Sequence, residues 1–395
     1  MPHYRYLIVG GGMTADAAVR GIRELDPDGS VGIVGREPHP PYNRPPLSKG
    51  LWKGGSLDRI WRRTEDLGVT LHLGRTIRAL DLAARQATDD ADEVYSFEKL
   101  LLATGGDPRR LRTDGALYFR TLDDYLTLRW LAQERDRFVV IGGGFIGSEI
   151  AAALAMNGKR VTMTFLEEGI GGRLLPPELA RFLNEYYRER GVEVVPGQGV
   201  VAVERIGERF VVHTDGGHRM EADGVVAGLG IRPNTELAEA VGLPVQDGIL
   251  VDEQLRAGHP DVYAAGDVAR FYSPALGMRI RVEHEDNANT QGLAAGRNMA
   301  GAGEAYTHLP FFYSDLFDLG YEAVGELDPR LEVVEDWKEP YREGVVYCLD
   351  QGRVRGVLLW NVWGQVEAAR ALIAEPGPHT PQTLKGRLSS GSEGT

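Results

Sequence analysis

Apolar and polar positions follow two different periods along this chain of 395 residues. The run over 4–9 is apolar and β-prone, three glycines follow it, and apolar residues then return at helical spacing over 14–25. A second β-prone run, "SVGIVG", comes next. Strand, glycine turn, helix and strand make one βαβ unit, so the pattern predicts that the chain begins with a parallel sheet.

The same order of elements recurs at "RFVVIGGGFIGSEIAAALAMNGKRVTMTF". There the pattern predicts a strand over 138–141, a helix over 147–156 and a strand over 160–165. From about Leu309 the runs "FFYSDLFDLGYEAVGEL" and "GVVYCLDQGRVRGVLLWNV" predict antiparallel strands, with "QG" as a hairpin turn. A short helix should end at Ile373, and the Pro, Gly, Ser and Thr that follow predict a flexible tail.

The glycine clusters at the two turns indicate dinucleotide binding. In such a turn one glycine bends the chain, one lets the backbone approach a pyrophosphate, and a small third residue lets helix and strand pack closely. The N-terminus of the helix then receives the negative charge. The residues concerned are Gly10, Gly12 and Ala15 in the first cluster and Gly142, Gly144, Phe145, Ile146 and Gly147 in the second.

An acidic residue about 20 positions after such a cluster binds a ribose diol. Glu167 stands at that distance from the second cluster, with Glu168 beside it. Because a carboxylate repels a 2′-phosphate, the second site is predicted to prefer NADH over NADPH. Two alternatives stay open: the glutamates are a surface pair in a loop, or the nearby Arg173 accommodates a phosphate.

Composition excludes several other functions. The formal charge of −13 argues against nucleic-acid binding, and the short basic cluster "DRIWRR" at 58–63 is interpreted as solvated surface. The single cysteine, Cys348, excludes an internal disulfide and a C-x-x-C redox or zinc pair, and no metal motif or nucleophile elbow occurs. No apolar run reaches the roughly 18 residues of a membrane span, and no signal peptide precedes the first strand, so we expect a cytoplasmic protein.

Motifs in a fixed order resemble the two-dinucleotide flavoprotein superfamily, and within it the ferredoxin-reductase-like branch that includes apoptosis-inducing factor. Besides the glycine clusters, the resemblance rests on "PYNRPPLSKGLW", "LLATGGDPR", "AGLGIRPN", "AAGDVA", "RVEHEDNA" and "FFYSDL". It covers about residues 4–373, and the stretch 344–370 resembles apoptosis-inducing factor in particular.

The resemblance implies an α/β fold with two Rossmann-like dinucleotide-binding domains, the glutathione-reductase-like FAD and NAD domains, plus a smaller α+β C-terminal domain. The expected limits are 1–113 and 236–308 for a discontinuous FAD-binding domain, 114–235 for the NAD-binding domain, 309–373 for the C-terminal domain and 374–395 for the flexible tail.

The resemblance also implies roles for individual residues. Lys49 and Glu149 are implied as the catalytic pair near flavin N5, where a fixed ammonium stabilises negative charge on the reduced ring. Phe145 is implied to shield the flavin until NADH displaces it, and Tyr313 stands where relatives often have tryptophan. The residues implied to bind FAD are Gly10, Gly12, Ala15, Glu37, Arg44, Lys49, Thr104, Gly105, Asp267, His284 and Tyr313. Those implied to bind NAD are Gly142, Gly144, Phe145, Ile146, Gly147, Glu167 and Gly230.

Three features of the local sequence qualify these roles. The prolines of "RPPLSK" fix the direction of Arg44 and predict the start of a helix that carries Lys49. At the end of the second strand, where relatives have the acid for the FAD ribose, this chain has Arg36. Either Glu37 takes that role by a one-residue shift, or the adenosine end is held differently. Glu285 replaces a family His or Trp, so His284 either lines the site or is structural.

The missing cysteine pair leaves reduced flavin to pass electrons directly to an outside acceptor. The resemblance implies an NADH:acceptor oxidoreductase whose acceptor is a ferredoxin- or rubredoxin-type protein or a small molecule such as a quinone. The alternative is an NADH sensor like apoptosis-inducing factor, in which a stable charge-transfer complex controls dimerisation or partner binding. A homodimer is compatible with both.

Overall fold

Two compact units divide the chain. The structure, a computed structural model, describes residues 1–388. The first unit contains Met1–Arg44, Ser56–Asp107 and Arg232–Pro310, and the second contains Pro45–Gly55, Pro108–Ile231 and the chain from Phe311 onward. Two short strands, Gly106–Pro108 and Ile231–Pro233, lie where the chain passes from one unit to the other. Within residues 1–388, no helix combines the length and apolar character that a membrane crossing needs.

A largely parallel sheet forms the centre of the first unit. Leu7, Ile8 and Ile33 have no exposed surface, as expected for parallel strands covered on both faces. The strands lie in the order Arg256–His259, Val262–Ala264, Val94–Leu102, His3–Val9, Val31–Gly35 and Thr70–Leu73, and the hairpin Ile77–Asp81 and Gln86–Asp89 extends the sheet from Val94–Leu102.

Two helices of the first unit, Met13–Leu25 and Glu285–Met299, pack against each other at very short range. A Cβ atom at Gly296 would lie 2.0 Å from the carbonyl oxygen of Ala18, so only glycine permits this approach. The unit is completed by the helix Glu236–Ala240, the 3-10 turns Leu57–Arg59, Thr64–Leu67 and Gly266–Val268, and the strands Ile249–Leu250, Ala269–Ser273 and Met278–Ile280.

A second parallel sheet lies in the second unit. Its strands follow the order Val192–Val195, Arg160–Thr164, Arg137–Ile141, Gly224–Ala227 and Leu117–Tyr118. Successive strands of this sheet are joined by helices, namely Leu122–Glu134, Phe145–Met156 and Pro177–Glu189. A separate antiparallel sheet contains Val200–Ile206, Arg209–Thr214 and Arg219–Ala222.

The C-terminal part of the second unit is an antiparallel sheet, as the sequence predicts. The hairpin turn at "QG" has positive φ at both Gln351 and Gly352, 49° and 76°, which is the geometry of a type I′ turn. The strand order is Phe311–Leu316, Leu319–Gly325, Arg353–Trp360, Glu343–Asp350 and Glu332–Glu339, and the helices Val366–Ala374 and Pro381–Leu384 follow. Two parallel sheets and a smaller α+β part make up the predicted fold class.

The segment around Lys49 differs from the prediction of a helix. It forms two 3-10 turns, Pro45–Leu47 and Gly50–Lys53, with Lys49 between them. The sequence placed this segment in the FAD-binding domain, whereas here it packs within the second unit. The anchor is Trp52, which is buried, meets the Tyr125 ring edge-on at 5.7 Å and accepts a hydrogen bond on its carbonyl from Asn157.

The structure also differs from the predicted flexible tail over 374–388. Leu384 and Leu388 are buried, and the N–H of Gly386 donates to the carboxylate of Asp336 at 2.7 Å. The helix Pro381–Leu384 thus packs against Glu332–Glu339, the edge strand of the antiparallel sheet. The remainder of the predicted tail, 389–395, lies outside the described residues.

Candidate active site

The first glycine turn joins the strand His3–Val9 to the helix Met13–Leu25. Gly10 has φ of +118°, and a Cβ there would lie 2.1 Å from the carbonyl oxygen of Ala103, so the tight bend requires glycine. Gly12 is different, because a Cβ there would meet no heavy atom of residues 1–388 within 4 Å. Ala15 is fully buried against the sheet. Open space in front of a helix N-terminus fits a phosphate group.

A second loop of the first unit carries Asp267. It is the 3-10 turn Gly266–Val268, and the N–H of Gly266 donates to Oε1 of Gln291 at 2.9 Å. The Nε2 of Gln291 is buried without a hydrogen-bond partner in the described part of the chain. An unmatched amide donor beside this turn fits a ligand that brings acceptor atoms. His284, the other predicted residue on this side, is the N-cap of the helix Glu285–Met299.

Thr104 and Gly105 are held by one asparagine of the same unit. The Thr104 hydroxyl donates to the carbonyl oxygen of Asn234 at 2.8 Å, and the amide of Asn234 donates back to the carbonyl oxygen of Thr104 at 3.0 Å. The N–H of Asn234 also donates to the carbonyl oxygen of Gly105. These bonds fix the backbone that follows the strand Val94–Leu102.

Glu37 and Arg44 form a cation–carboxylate pair in the first unit. The Tyr42 hydroxyl donates to Glu37 at 2.5 Å, and Arg44 also donates to this carboxylate. Burial acts to lower the pKa of the Arg44 guanidinium, but the nearby Glu37, Tyr42 and Asp267 raise that pKa overall. Arg36 instead pairs with Asp107 at 2.6 Å. Glu37 is thus the acid at this strand end that shares a cluster with Arg44.

The second glycine turn repeats the first in the second unit. Gly142 has φ of +111°, and its Cβ would lie 2.3 Å from the carbonyl oxygen of Gly228, while a Cβ at Gly147 would lie 1.9 Å from the carbonyl oxygen of Gly142. Gly144 precedes the helix Phe145–Met156 and has no heavy atom of the described chain within 4 Å of an added Cβ. Gly230 has φ of +78° and accepts a hydrogen bond from the N–H of Arg109.

Glu167, for which the sequence predicts a ribose-binding role, lies three residues after the end of the strand Arg160–Thr164. Its side chain is 22% exposed and accepts a hydrogen bond from Arg173, whose side chain is 75% exposed. Glu168 is 88% exposed and lies 3.5 Å from Arg181. The Glu167 carboxylate is therefore less exposed than that of Glu168. Its partner Arg173 has a long side chain that lies mostly in solvent.

A buried ion pair joins Lys49 to Glu149 in the second unit. Lys49 Nζ donates to Glu149 at 2.6 Å, and the hydroxyls of Ser48 and Ser314 donate to the same carboxylate at 2.5 and 2.6 Å. The side chain of Glu149 is 3% exposed and that of Lys49 is 14% exposed. Lys49 Nζ also lies 5.1 Å from the ring centroid of Tyr313. The structure thus brings three of the predicted site residues into one cluster.

Three aromatic side chains on the same helix and sheet as this cluster contact one another. The ring of Phe145 meets that of Phe312 edge-on at 5.4 Å and lies 6.4 Å from that of Tyr321. Burial and then the Glu149 carboxylate raise the pKa of Tyr321 well above its ordinary value, so the phenol stays neutral. Phe145 and Glu149 are four residues apart on one helix, which puts the glycine turn and the ion pair within about one helical turn.

Sequence reasoning missed three polar residues of these clusters. Ser48 and Ser314 complete the hydrogen bonds of Glu149, and Gln291 holds the loop of Asp267. Ser48 and Ser314 stand next to the predicted Lys49 and Tyr313, but no pattern in the sequence shows that they meet Glu149. They are 101 and 165 residues from it along the chain.

Sequence comparison identifies the chain. Residues 4–292 match the family described as pyridine nucleotide-disulphide oxidoreductase, which is more than half of the chain. The chain belongs to that family. Residues 295–339 match the C-terminal domain described for apoptosis-inducing factor, mitochondrion-associated. This match lies N-terminal to 344–370, the stretch in which the sequence suggested the particular likeness to apoptosis-inducing factor.

Individual relatives of this pyridine nucleotide-disulphide oxidoreductase cover nearly the whole chain. Apoptosis-inducing factor 1, mitochondrial, of Dictyostelium discoideum is 32% identical over 94% of this chain and 78% of its own length. The 5,5'-dehydrodivanillate O-demethylase ferredoxin reductase subunit of Sphingobium sp. is 34% identical over 95% and 94%. The putidaredoxin reductase–putidaredoxin complex matches in structure with a TM-score of 0.90 and 28% identity, covering 97% of this chain and 96% of that one.

The family and the geometry agree on the enzyme class. This pyridine nucleotide-disulphide oxidoreductase is a ferredoxin-reductase-like, FAD-containing NAD(P)H oxidoreductase. The open space at Gly12 and the unmatched amide of Gln291 fit FAD in the first unit. The open space at Gly144, with Glu167 at the next strand end, fits the pyridine nucleotide in the second unit.

Proposed function

We propose that this enzyme transfers a hydride from NADH to bound FAD and passes the electrons to an external acceptor. The acceptor is a ferredoxin- or rubredoxin-type protein, or a small molecule such as a quinone. The observation that carries the proposal is the buried Lys49–Glu149 pair, which lies about one helical turn from the nicotinamide-side glycine turn. FAD, when bound, supplies the hydride acceptor and the two-electron store.

Each residue of the Lys49 cluster has a distinct task in this proposal. Lys49 presents a positive charge where negative charge develops, and its low exposure makes that charge more effective than it would be in water. Glu149, held by Ser48 and Ser314, fixes Nζ and moderates its charge. Tyr313 contributes an aromatic face next to the ammonium. None of these groups has to give up a proton.

The route by which electrons leave is proposed from the cysteine count and the relatives. The sequence contains one cysteine, Cys348, which is buried, so a pair of cysteines within this chain cannot receive the electrons. Two of the relatives are named as ferredoxin reductases. The putidaredoxin reductase was solved as a covalent complex with putidaredoxin. These facts favour an outside one-electron carrier.

A panel of acceptors tests this function. The enzyme is reduced anaerobically with NADH and then mixed rapidly with a ferredoxin, a rubredoxin, a quinone or oxygen. Fast reoxidation by one acceptor and slow reoxidation by the others is the expected result. Slow reoxidation by all of them would contradict the proposal.

The match of residues 295–339 to the apoptosis-inducing factor domain favours a second candidate function. In that case NADH binding controls partner binding or formation of a homodimer, and turnover is incidental. A long-lived charge-transfer absorption band after NADH addition, together with NADH-dependent dimerisation in sedimentation experiments, would support this candidate over the first.

Preference for NADH is proposed to depend on Glu167. Glu167→Gln should lower kcat/KM for NADH by about tenfold, roughly the loss of one hydrogen bond to a charged group, and should reduce discrimination against NADPH. Glu168→Gln is the matched control, because that side chain is 88% exposed and should leave both values unchanged. Steady-state kinetics with both nucleotides measures the effect. A wild-type enzyme that prefers NADPH would overturn the assignment and point to Arg173.

A further inference from the structure

Asp16 is a fully buried carboxylate in the first turn of the helix that follows the first glycine turn. Its two oxygens accept hydrogen bonds from Arg62 Nε at 2.7 Å, from the Thr64 hydroxyl at 2.7 Å and from Arg20 Nε at 2.9 Å. Burial acts to raise the pKa of Asp16, but the bonds from Arg20, Thr64 and Arg62 outweigh it and lower that pKa. Asp16 is therefore a charged anchor inside the first unit.

Arg62 belongs to "DRIWRR", the cluster that the sequence suggested to be solvated surface, and for this residue that interpretation is wrong. Its side chain is 13% exposed. A buried ion pair gives a fold little net stability compared with apolar packing, so the groups that this pair positions are of interest. The Arg62 guanidinium makes a second side-chain hydrogen bond, to Asn43, which indicates what the pair positions.

Arg62 connects Asp16 to the residue before Arg44. Its Nη1 donates to Oδ1 of Asn43 at 2.8 Å. The backbones are also joined, because the N–H of Asn43 donates to the carbonyl oxygen of Ile60 at 2.8 Å. Arg44 is followed by proline, which restricts its backbone, so a fixed Asn43 limits the directions from which the Arg44 side chain can reach its partner Glu37.

We propose that Asp16, Arg62 and Asn43 form a positioning bridge that holds the Arg44 guanidinium in a fixed place relative to the first glycine turn and so strengthens FAD binding. The inference rests on the proposed function, in which Arg44 and Gly12 contact FAD. The bridge needs an arginine, because the planar guanidinium donates from Nε and Nη1 in two fixed directions. A lysine at position 62 would keep the ion pair with Asp16 and lose the bond to Asn43.

Arg62→Lys separates positioning from stability, and Arg23→Lys is its matched control. Arg23 lies on the same helix as Asp16, and its guanidinium donates to the backbone carbonyls of Leu67 and Gly68, a few residues after Arg62 in the sequence. Its other partners within residues 1–388 are the carbonyls of Asp26 and Gly29, so Arg23 has no part in holding Asn43. Flavin fluorescence on dilution measures the FAD dissociation constant at a temperature where every variant is folded. We expect an increase of about tenfold for Arg62→Lys and no increase for Arg23→Lys, whatever their melting temperatures.

Variants of Asn43 test the bridge without touching the buried carboxylate. Asn43→Ala should weaken FAD as much as Arg62→Lys, and Asn43→Asp, which keeps an acceptor for Arg62, should restore binding. Equal FAD constants for Arg62→Lys and Arg23→Lys, or full binding in Asn43→Ala, would overturn the bridge while FAD remains bound to the wild type. A wild type that binds no FAD would instead refute the proposed function itself, and the bridge with it.

Discussion

Lys49→Met is expected to slow reduction of the bound flavin by NADH about 100-fold, the usual loss when one preorganised charge-stabilising group is removed. The Lys49 side chain is 14% exposed and its Nζ is held by Glu149 at 2.6 Å, so its charge is fixed in place and little screened by water. Anaerobic stopped-flow absorbance of the flavin measures the rate. Methionine keeps most of the volume of the side chain, so the packing of the two 3-10 turns around position 49 should persist.

Stability has to be separated from rate in this experiment. Loss of Lys49 leaves the Glu149 carboxylate, 3% exposed, with the hydroxyls of Ser48 and Ser314 as its remaining donors within residues 1–388, and an unpaired buried charge costs about 3 kcal/mol. The double variant Lys49→Met, Glu149→Gln removes that charge. It should recover the free energy of unfolding and leave reduction slow. A single variant that reduces its flavin at the wild-type rate would make the Lys49 segment a structural turn only.

Gly12→Val is expected to weaken FAD binding by at least about 100-fold while the chain still folds. Gly12 has ordinary extended geometry, φ of −94°, and an added Cβ would meet no heavy atom of the described residues within 4 Å. A loss of FAD affinity in this variant would therefore come from a clash between the valine side chain and the bound ligand. The cost to the apo chain should be about 1 kcal/mol, because valine is a poor N-cap residue. Thermal unfolding and FAD titration of the apo protein measure the two quantities.

Gly144→Val is the matched substitution in the second unit. Its Cβ would also enter open space, so this variant should keep its FAD and lose affinity for NADH to a similar extent. The two variants thus assign one nucleotide to each glycine turn. Loss of FAD in Gly144→Val, or loss of NADH binding alone in Gly12→Val, would show that the assignments are reversed. Retention of both ligands in both variants would remove the turns from the site.

Local patterns were sufficient to predict the two βαβ units and the "QG" hairpin. The strand His3–Val9 and the helix Met13–Leu25 are determined by apolar spacing and by glycines whose geometry is needed within a few residues. The same holds for the helix Phe145–Met156 and the turn at Gln351 and Gly352. In each case the residues that specify the element are neighbours in sequence, which is the range over which periodicity and turn chemistry operate.

Long-range contacts were beyond what local patterns predict. The carboxylate of Glu149 is completed by Ser48 and Ser314, and nothing near Glu149 in sequence indicates either partner. Arg62 looked like a surface cation because its neighbours are charged, and only the fold places it against Asp16. Lys49 was expected on a helix because prolines often begin one, but burial of Trp52 holds the segment as two 3-10 turns.

Anaerobic titration of the purified protein with NADH tests most directly whether this chain reduces bound FAD with NADH. We expect that denaturation releases one FAD per chain and that NADH bleaches the flavin absorbance faster than NADPH does. A protein that releases no FAD, or a bound flavin that NADH leaves oxidised, would contradict it.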